Sequence, residues 1–182
     1  MTRHGFSGHA PGRAPRRASG RTLVAGLGNI FLGDDGFGVE AARRLTARRL
    51  PPGVEVVDIG VRGVHLAYQL LEGYDTVVLL DATAQGGLPG TVYLIDQADA
   101  VVPESVVIDG HRMTPDAVLA LLGTLSAGTG AARPRRVVVV GCEPATVEEG
   151  IGLSAPVTAS LDEAVDVVLR LLAPDPATVT PG

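Results

Sequence analysis

The chain has 182 residues, 46% of them hydrophobic and 19% charged, enough for one sizeable core and short for two. Its formal net charge of −5 is unevenly spread: residues 1–21 carry Arg3, Arg13, Arg16, Arg17 and Arg21 and no acid, which leaves 10 basic against 20 acidic residues in the remainder. A folded part carrying −10 argues against nucleic acid as a partner, and no run of ~18 apolar residues is present to span a membrane.

Residues 1–20 are rich in Gly, Pro, Arg and Ser and read as a disordered basic leader. The "PRR" within them invites an export signal, but the next apolar run, Leu23 to Leu27, is too short and is broken by glycine. Residues 174–182, "PDPATVTPG", read as a disordered Pro-rich tail, and residues 21–173 as one domain. The single cysteine, Cys142, excludes an intrachain disulfide and fits a reducing cytoplasm. An acidic domain with few exposed apolar stretches fits a monomer.

Between leader and tail, short Val-rich runs predict strands at 22–27 ("TLVAGL"), 54–59 ("VEVVDI"), 76–81 ("TVVLLD"), 91–96 ("TVYLID") and 136–141 ("RVVVVG"). They mostly lack in–out alternation, as strands buried on both faces do. Helical patterns lie between them. Gly38 to Leu50 turns Val39, Ala42 and Leu45 to one side and Arg43, Arg44, Arg48 and Arg49 to the other. Gly63 to Leu71, Thr114 to Leu125 and Pro156 to Leu172 are the others. Alternation of this kind predicts a single-domain, three-layer α/β sandwich, with a mainly parallel twisted sheet of about five strands and helices on both faces. The link "GGLPG" before Thr91 is too short for a helical crossover, so that run is expected antiparallel at an edge.

Sites in open α/β sheets lie beyond the carboxyl ends of the strands. Asp34 and Asp35 follow the first strand, Asp81 ends the third, and His111 precedes the third helix. The glycine loop itself, "AGLGNIFLGDDGFG", holds no phosphate. Its third fingerprint glycine is replaced by Phe31, the two aspartates would repel a pyrophosphate, and the chain contains no lysine for a P-loop. A G-x-S-x-G elbow is absent as well. Cys142 reads as a buried small hydrophobe rather than a nucleophile.

One aspartate of the pair, Asp34, is expected to cap the following helix, leaving Asp35 to project into the cleft. Asn29 either bonds the loop backbone through its side chain or tolerates a left-handed conformation. Gly26, Gly28, Gly33, Gly36 and Gly38 allow tight turns and close approach, whether to a partner or between helix and sheet. Taken singly, Asp81 could close a turn and His111 could be an ordinary loop histidine. Two carboxylates and an imidazole on three loops of one sheet edge form an O, O, N donor set, which suits zinc, nickel or cobalt and leaves coordination positions open.

The run "LVAGLGNIFLGDDGFGVEAARRL" closely resembles the opening of the hydrogenase maturation proteases, endopeptidases that trim the C-terminal extension from the large subunit of [NiFe]-hydrogenases. The resemblance continues through "DIGVRGVHLAYQLLEGYDTVVLLDATAQGGLPGTVYLI", "DGHRMTPDAVLALL" and "VVVVGCEPATVEEGIGLSAPV", covering about residues 22–172 in order. It implies a phosphorylase/hydrolase-like fold and a catalytic, metal-contacting trio carried onto Asp35, Asp81 and His111. Gly28, Asn29, Asp34 and Gly36 are implied to form a substrate loop around it. The implied metal is nickel, supplied by the large-subunit precursor, whose coordination the trio completes. The family commonly has Glu where this chain has Asp35, and many members have a "GGT" turn where this chain reads "GVR" near Val61. Two other readings stand beside this one. A non-catalytic nickel- or large-subunit-binding maturation factor would bind the precursor without cutting it. Peptidyl-tRNA hydrolase shares the "GLGN" opening but predicts a basic face, which an acidic domain does not offer.

Overall fold

In the computed structural model, residues 20–96 and 114–173 are described. The leader up to residue 19, the segment 97–113 that contains His111, and the tail from 174 lie outside them.

Five strands form one sheet: β1 (Thr22–Leu27), β2 (Val54–Gly60), β3 (Thr76–Ala82), β4 (Val92–Asp96) and β5 (Arg136–Cys142). Their spatial order is β2-β1-β3-β5-β4. β1 pairs in parallel with β2 and β3, and β3 in parallel with β5. β4 runs antiparallel to β5 at the edge, as its short connection requires. Four helices cover the faces: α1 (Phe37–Thr46), α2 (Gly63–Leu70), α3 (Pro115–Thr129) and α4 (Ala155–Leu172).

Because side chains alternate across a strand, each Val-rich run feeds two cores at once. Leu23, Ala25, Val77, Leu79 and Val139 pack with Leu66 and Leu70 of α2 and Val118 and Leu122 of α3. Val24, Val78, Leu80 and Val140 pack with Phe37 and Leu45 of α1 and Leu161 and Val165 of α4. This is the expected single-domain three-layer α/β sandwich. β2 departs from expectation. Most of it is partly exposed, because it is an edge strand with a neighbour on one side only. Glu55 and Asp58 on it discourage pairing with another chain.

Helix ends follow local chemistry. Thr114 Oγ1 accepts the Ala117 N–H at 3.3 Å and Pro115 opens the first turn of α3, while Gly130, at φ 71°, ends it. On α1, Val39, Ala42 and Leu45 are buried and Arg43 exposed, as the pattern predicted. The helix stops at Thr46, short of Leu50, with four residues between it and the Pro51–Pro52 pair. Two of the loop glycines serve packing. A Cβ on Gly38 would strike the carbonyl oxygens of Leu27 and Leu80, and one on Gly26 would strike the Gly38 carbonyl. α1 can therefore lie directly on β1 and β3.

Candidate active site

β1 sits between β2 and β3, and the chain leaves it first toward β2 and later passes beyond it to β3 and β5. Crevices open at such reversals of strand order. Here a cleft of about 190 Å³ is lined by Gly28, Asp35, Gly60, Val61, Asp81, Ala82, Ala84, Thr114, Pro144 and Val147. Two of the three donors expected from sequence, Asp35 and Asp81, therefore face one space. His111 lies outside the described residues; Thr114, three positions later, lines the cleft. Among the described residues no group of three or more His, Cys, Asp or Glu side chains could hold a metal.

Asp35 is delivered by a tight 3-10 turn, Gly33–Gly36, between β1 and α1. Gly28 makes that turn possible. Its φ is 115°, a conformation L residues avoid, and a Cβ would overlap the Asp35 carbonyl oxygen. The Gly28 N–H donates to the Gly60 carbonyl at 3.1 Å, tying the loop to the end of β2. The Asn29 N–H donates to Asp35 Oδ2 at 2.7 Å, and the Asn29 side chain accepts the Phe31 N–H at 3.0 Å. Asn29 thus fixes the loop by side-chain bonding; no described non-glycine residue has a positive φ.

Asp81, at the end of β3, is only 7% exposed. Burial pushes its carboxyl well above the usual range, and the negative charges of Asp35 and Asp116 push the same way, against a lowering bond from the Ala82 N–H. Among the described residues neither Asp35 nor Asp81 has an ion-pair partner. A desolvated carboxyl group beside a second one, with no cation among the described residues to balance them, is a donor pair that a divalent metal would relieve.

Asp34 does not cap the helix. The residue before the turn is Leu32, and no side chain caps either the turn or α1. The Asp34 carboxylate is wholly buried and points to another part of the chain. Its Oδ2 accepts the N–H of Ala145 at 2.8 Å and of Thr146 at 3.2 Å, and the Ser154 hydroxyl at 2.9 Å. Its Oδ1 accepts the Ser154 N–H at 2.6 Å. Burial alone would raise its pKa, but the donors of Ser154, Ala145 and Thr146 outweigh it and hold the group below the usual carboxylate range. The N-cap expectation failed because a cap needs only local donors, whereas these lie more than a hundred positions away.

Sequence reasoning passed over Glu143. It is buried, and its carboxylate accepts the N–H of Gln85 at 2.7 Å, of Gly86 at 3.2 Å and the Tyr93 hydroxyl at 2.9 Å. The Gln85 and Tyr93 donors, working against burial, lower its pKa. It braces the loop that follows Asp81. The signal was present: Glu143 directly follows β5, at the same edge of the sheet as Asp81 and two register positions further along. Cys142 is fully buried against the Ser160 hydroxyl at 3.2 Å, and burial pushes its thiol up, so it is a core residue as expected.

Comparison with known proteins agrees with this architecture. A family model described as hydrogenase maturation protease matches residues 39–171, beginning just after the glycine loop. The hydrogenase expression/formation protein HupM of Azotobacter chroococcum is 35% identical over 169 residues, covering 90% of this chain and 77% of its own length. The hydrogenase 2 maturation protease of Escherichia coli K12 is 31% identical, covering 84% and 90%. The solved structure of the hydrogenase maturating endopeptidase HybD from E. coli superposes with a TM-score of 0.66 at 32% identity, covering 84% of this chain and 91% of that one. With the family model spanning residues 39–171, relatives above 30% identity covering most of both chains, and a solved endopeptidase of the same fold, the chain belongs to the hydrogenase maturation protease family and is an endopeptidase.

Proposed function

We propose that this endopeptidase removes the C-terminal extension of a [NiFe]-hydrogenase large-subunit precursor after nickel has been inserted, and that the nickel carried by the precursor is what it recognises. The observation that carries the reading is the pairing of Asp35 and Asp81 in one cleft at the carboxyl ends of β1 and β3, without a balancing cation among the described residues. His111, three positions before the cleft-lining Thr114, is the proposed third donor. The names of the relatives and structural neighbours support the hydrogenase as target.

Nickel held by the precursor supplies a Lewis acid for the scissile carbonyl or acidifies an attacking water. The chain's own residues do the rest. The Asn29 N–H orients the Asp35 carboxylate. Asp35 and Asp81 would offer their carboxylates to that nickel, and a carboxylate of the cleft would take the proton from water. An O, O, N set is too sparse for a closed structural site, so docking is coupled to a metal with ligands of its own. We take the protein to act as a cytoplasmic monomer without nucleic acid, a reading supported by its single buried cysteine and its acidic domain.

Incubating the protein with purified precursor, nickel-loaded and nickel-free, tests the proposal. A smaller large subunit should appear only from the loaded form. Equal cleavage of both forms would overturn nickel recognition, and binding without cleavage would favour the non-catalytic maturation factor.

A further inference from the structure

We propose that Asp34 is a positioning residue of the cleft, locking the turn that carries Asp35 to the opposite wall formed around Pro144 and Val147. The inference rests on the reading of Asp35 as a working carboxylate and adds how that carboxylate is held in place.

The geometry joins the two walls through one side chain. Asp34 precedes Asp35 in the tight turn, and its carboxylate takes four donors from Ala145, Thr146 and Ser154. Ala145 and Thr146 lie between Pro144 and Val147, both of which line the cleft. Backbone bonds run alongside the clamp. The Asp34 N–H donates to the Thr146 carbonyl at 3.0 Å, the Gly33 N–H to Gly150 at 2.9 Å, and the Gly150 N–H to Phe31 at 2.9 Å. Leu32 and Gly150 form a short parallel bridge. Ser154, at the start of α4, does not cap its own helix with its hydroxyl but gives it to Asp34. The first turn of α4 is thereby anchored to the same carboxylate.

Only an ionised carboxylate can accept at both ends of so short a side chain. Asparagine has the same shape but turns an NH₂ toward either the single donor on Oδ1 or the three on Oδ2, and the donors it faces must retreat. Such a retreat moves the turn that holds Asp35, and the Asn29 N–H that bonds to Asp35 Oδ2 moves with it. A clamp serving stability alone would lower the melting temperature and leave the folded molecules fully active. A clamp that positions Asp35 lowers the activity of the folded molecules as well.

The test is Asp34→Asn, measured at temperatures where circular dichroism shows it folded, beside wild type and Asp35→Asn. The expected result has two parts. The Asn29 amide shifts in a proton–nitrogen NMR spectrum and exchanges with solvent about tenfold faster, and kcat/KM on nickel-loaded precursor falls about tenfold or more. An unmoved Asn29 amide, or a kcat/KM within about twofold of wild type, overturns the proposal. Should Asp34→Asn fail to fold, Ser154→Ala removes one of the four donors and carries the same readouts at smaller size. An Asn29 amide unmoved in that variant overturns the proposal equally. The NMR readout needs no precursor, so it stands apart from the functional reading, which falls instead if Asp35→Asn cleaves normally.

Discussion

Replacing Gly28 with alanine perturbs the point on which the cleft turns. Two costs arise at this position. At φ 115° an L side chain is strained whatever the space around it, at about 1–3 kcal/mol. The new Cβ would also stand against the Asp35 backbone carbonyl, inside the 3.0 Å that real Cβ atoms keep. Because the obstacle is backbone and not the end of a flexible side chain, relief requires the Asp35 turn to move, at a further ~1–3 kcal/mol. Gly73 separates the two costs. It has φ 87° and nothing within 4 Å of the point where a Cβ would stand, so Gly73→Ala meets the first cost alone. In a domain of this size each kcal/mol lowers Tm by roughly 2–4 °C. Gly73→Ala should melt about 5 °C below wild type and Gly28→Ala about 10 °C below. The activities should diverge further. A displacement of Asp35 on the order of 1 Å is worth about a hundredfold in rate, whereas Gly73→Ala should cleave normally. Thermal unfolding by circular dichroism and single-turnover processing of nickel-loaded precursor, read from gel mobility below both transitions, measure the pair. If Gly28→Ala melts with Gly73→Ala and cleaves at the wild-type rate, the close approach of Gly28 to Asp35 has no part in holding the site.

The remaining predictions concern side chains. Asp35→Asn, Asp81→Asn and His111→Ala should each abolish or severely slow processing with the fold intact, while Asp35→Glu, the commoner family residue, should retain part of the activity; normal cleavage by all three would dismiss the metal trio. Asp81→Asn should at the same time stabilise the free protein at pH 7. The folded-state pKa of Asp81 is raised, so its burden on stability is absent below the unfolded value of about 4 and grows as pH rises toward the folded value. The gain from Asn should therefore vanish in acid, and a gain equal at both pH values would contradict the burial argument. Cys142→Ser should keep substantial activity, since the thiol is fully buried and its pKa is raised, and should lose about 1–2 kcal/mol of stability from a hydroxyl in an apolar layer; inactive but folded protein would revive a thiol nucleophile.

The strand positions were legible in the sequence because each depends on nearest neighbours: a Val-rich run, bounded by turn residues, with helical spacing between. The antiparallel edge strand β4 was legible for a similar reason, since a nine-residue link containing "GGLPG" leaves no room for a helical crossover. The placement of Asp35 and Asp81 at one cleft followed from the rule for strand ends alone. The partners of the buried carboxylates were not legible. Asp34 looked like a cap because "GDDG" before a helical pattern is a cap signal, and its true donors lie 111 to 120 positions along the chain. Glu143 reaches 50 to 58 positions back to Tyr93, Gln85 and Gly86. Gly26 and Gly38 read as glycines of close approach, whether to a partner or between helix and sheet, and only the packing of α1 against β1 and β3 decides for the second. Local sequence determines which segments are strand or helix, because backbone propensity and side-chain period act over a few residues. Which buried carboxylate meets which distant N–H is decided only when the sheet has closed, because a charge taken out of water must find its donors among whatever the fold brings beside it.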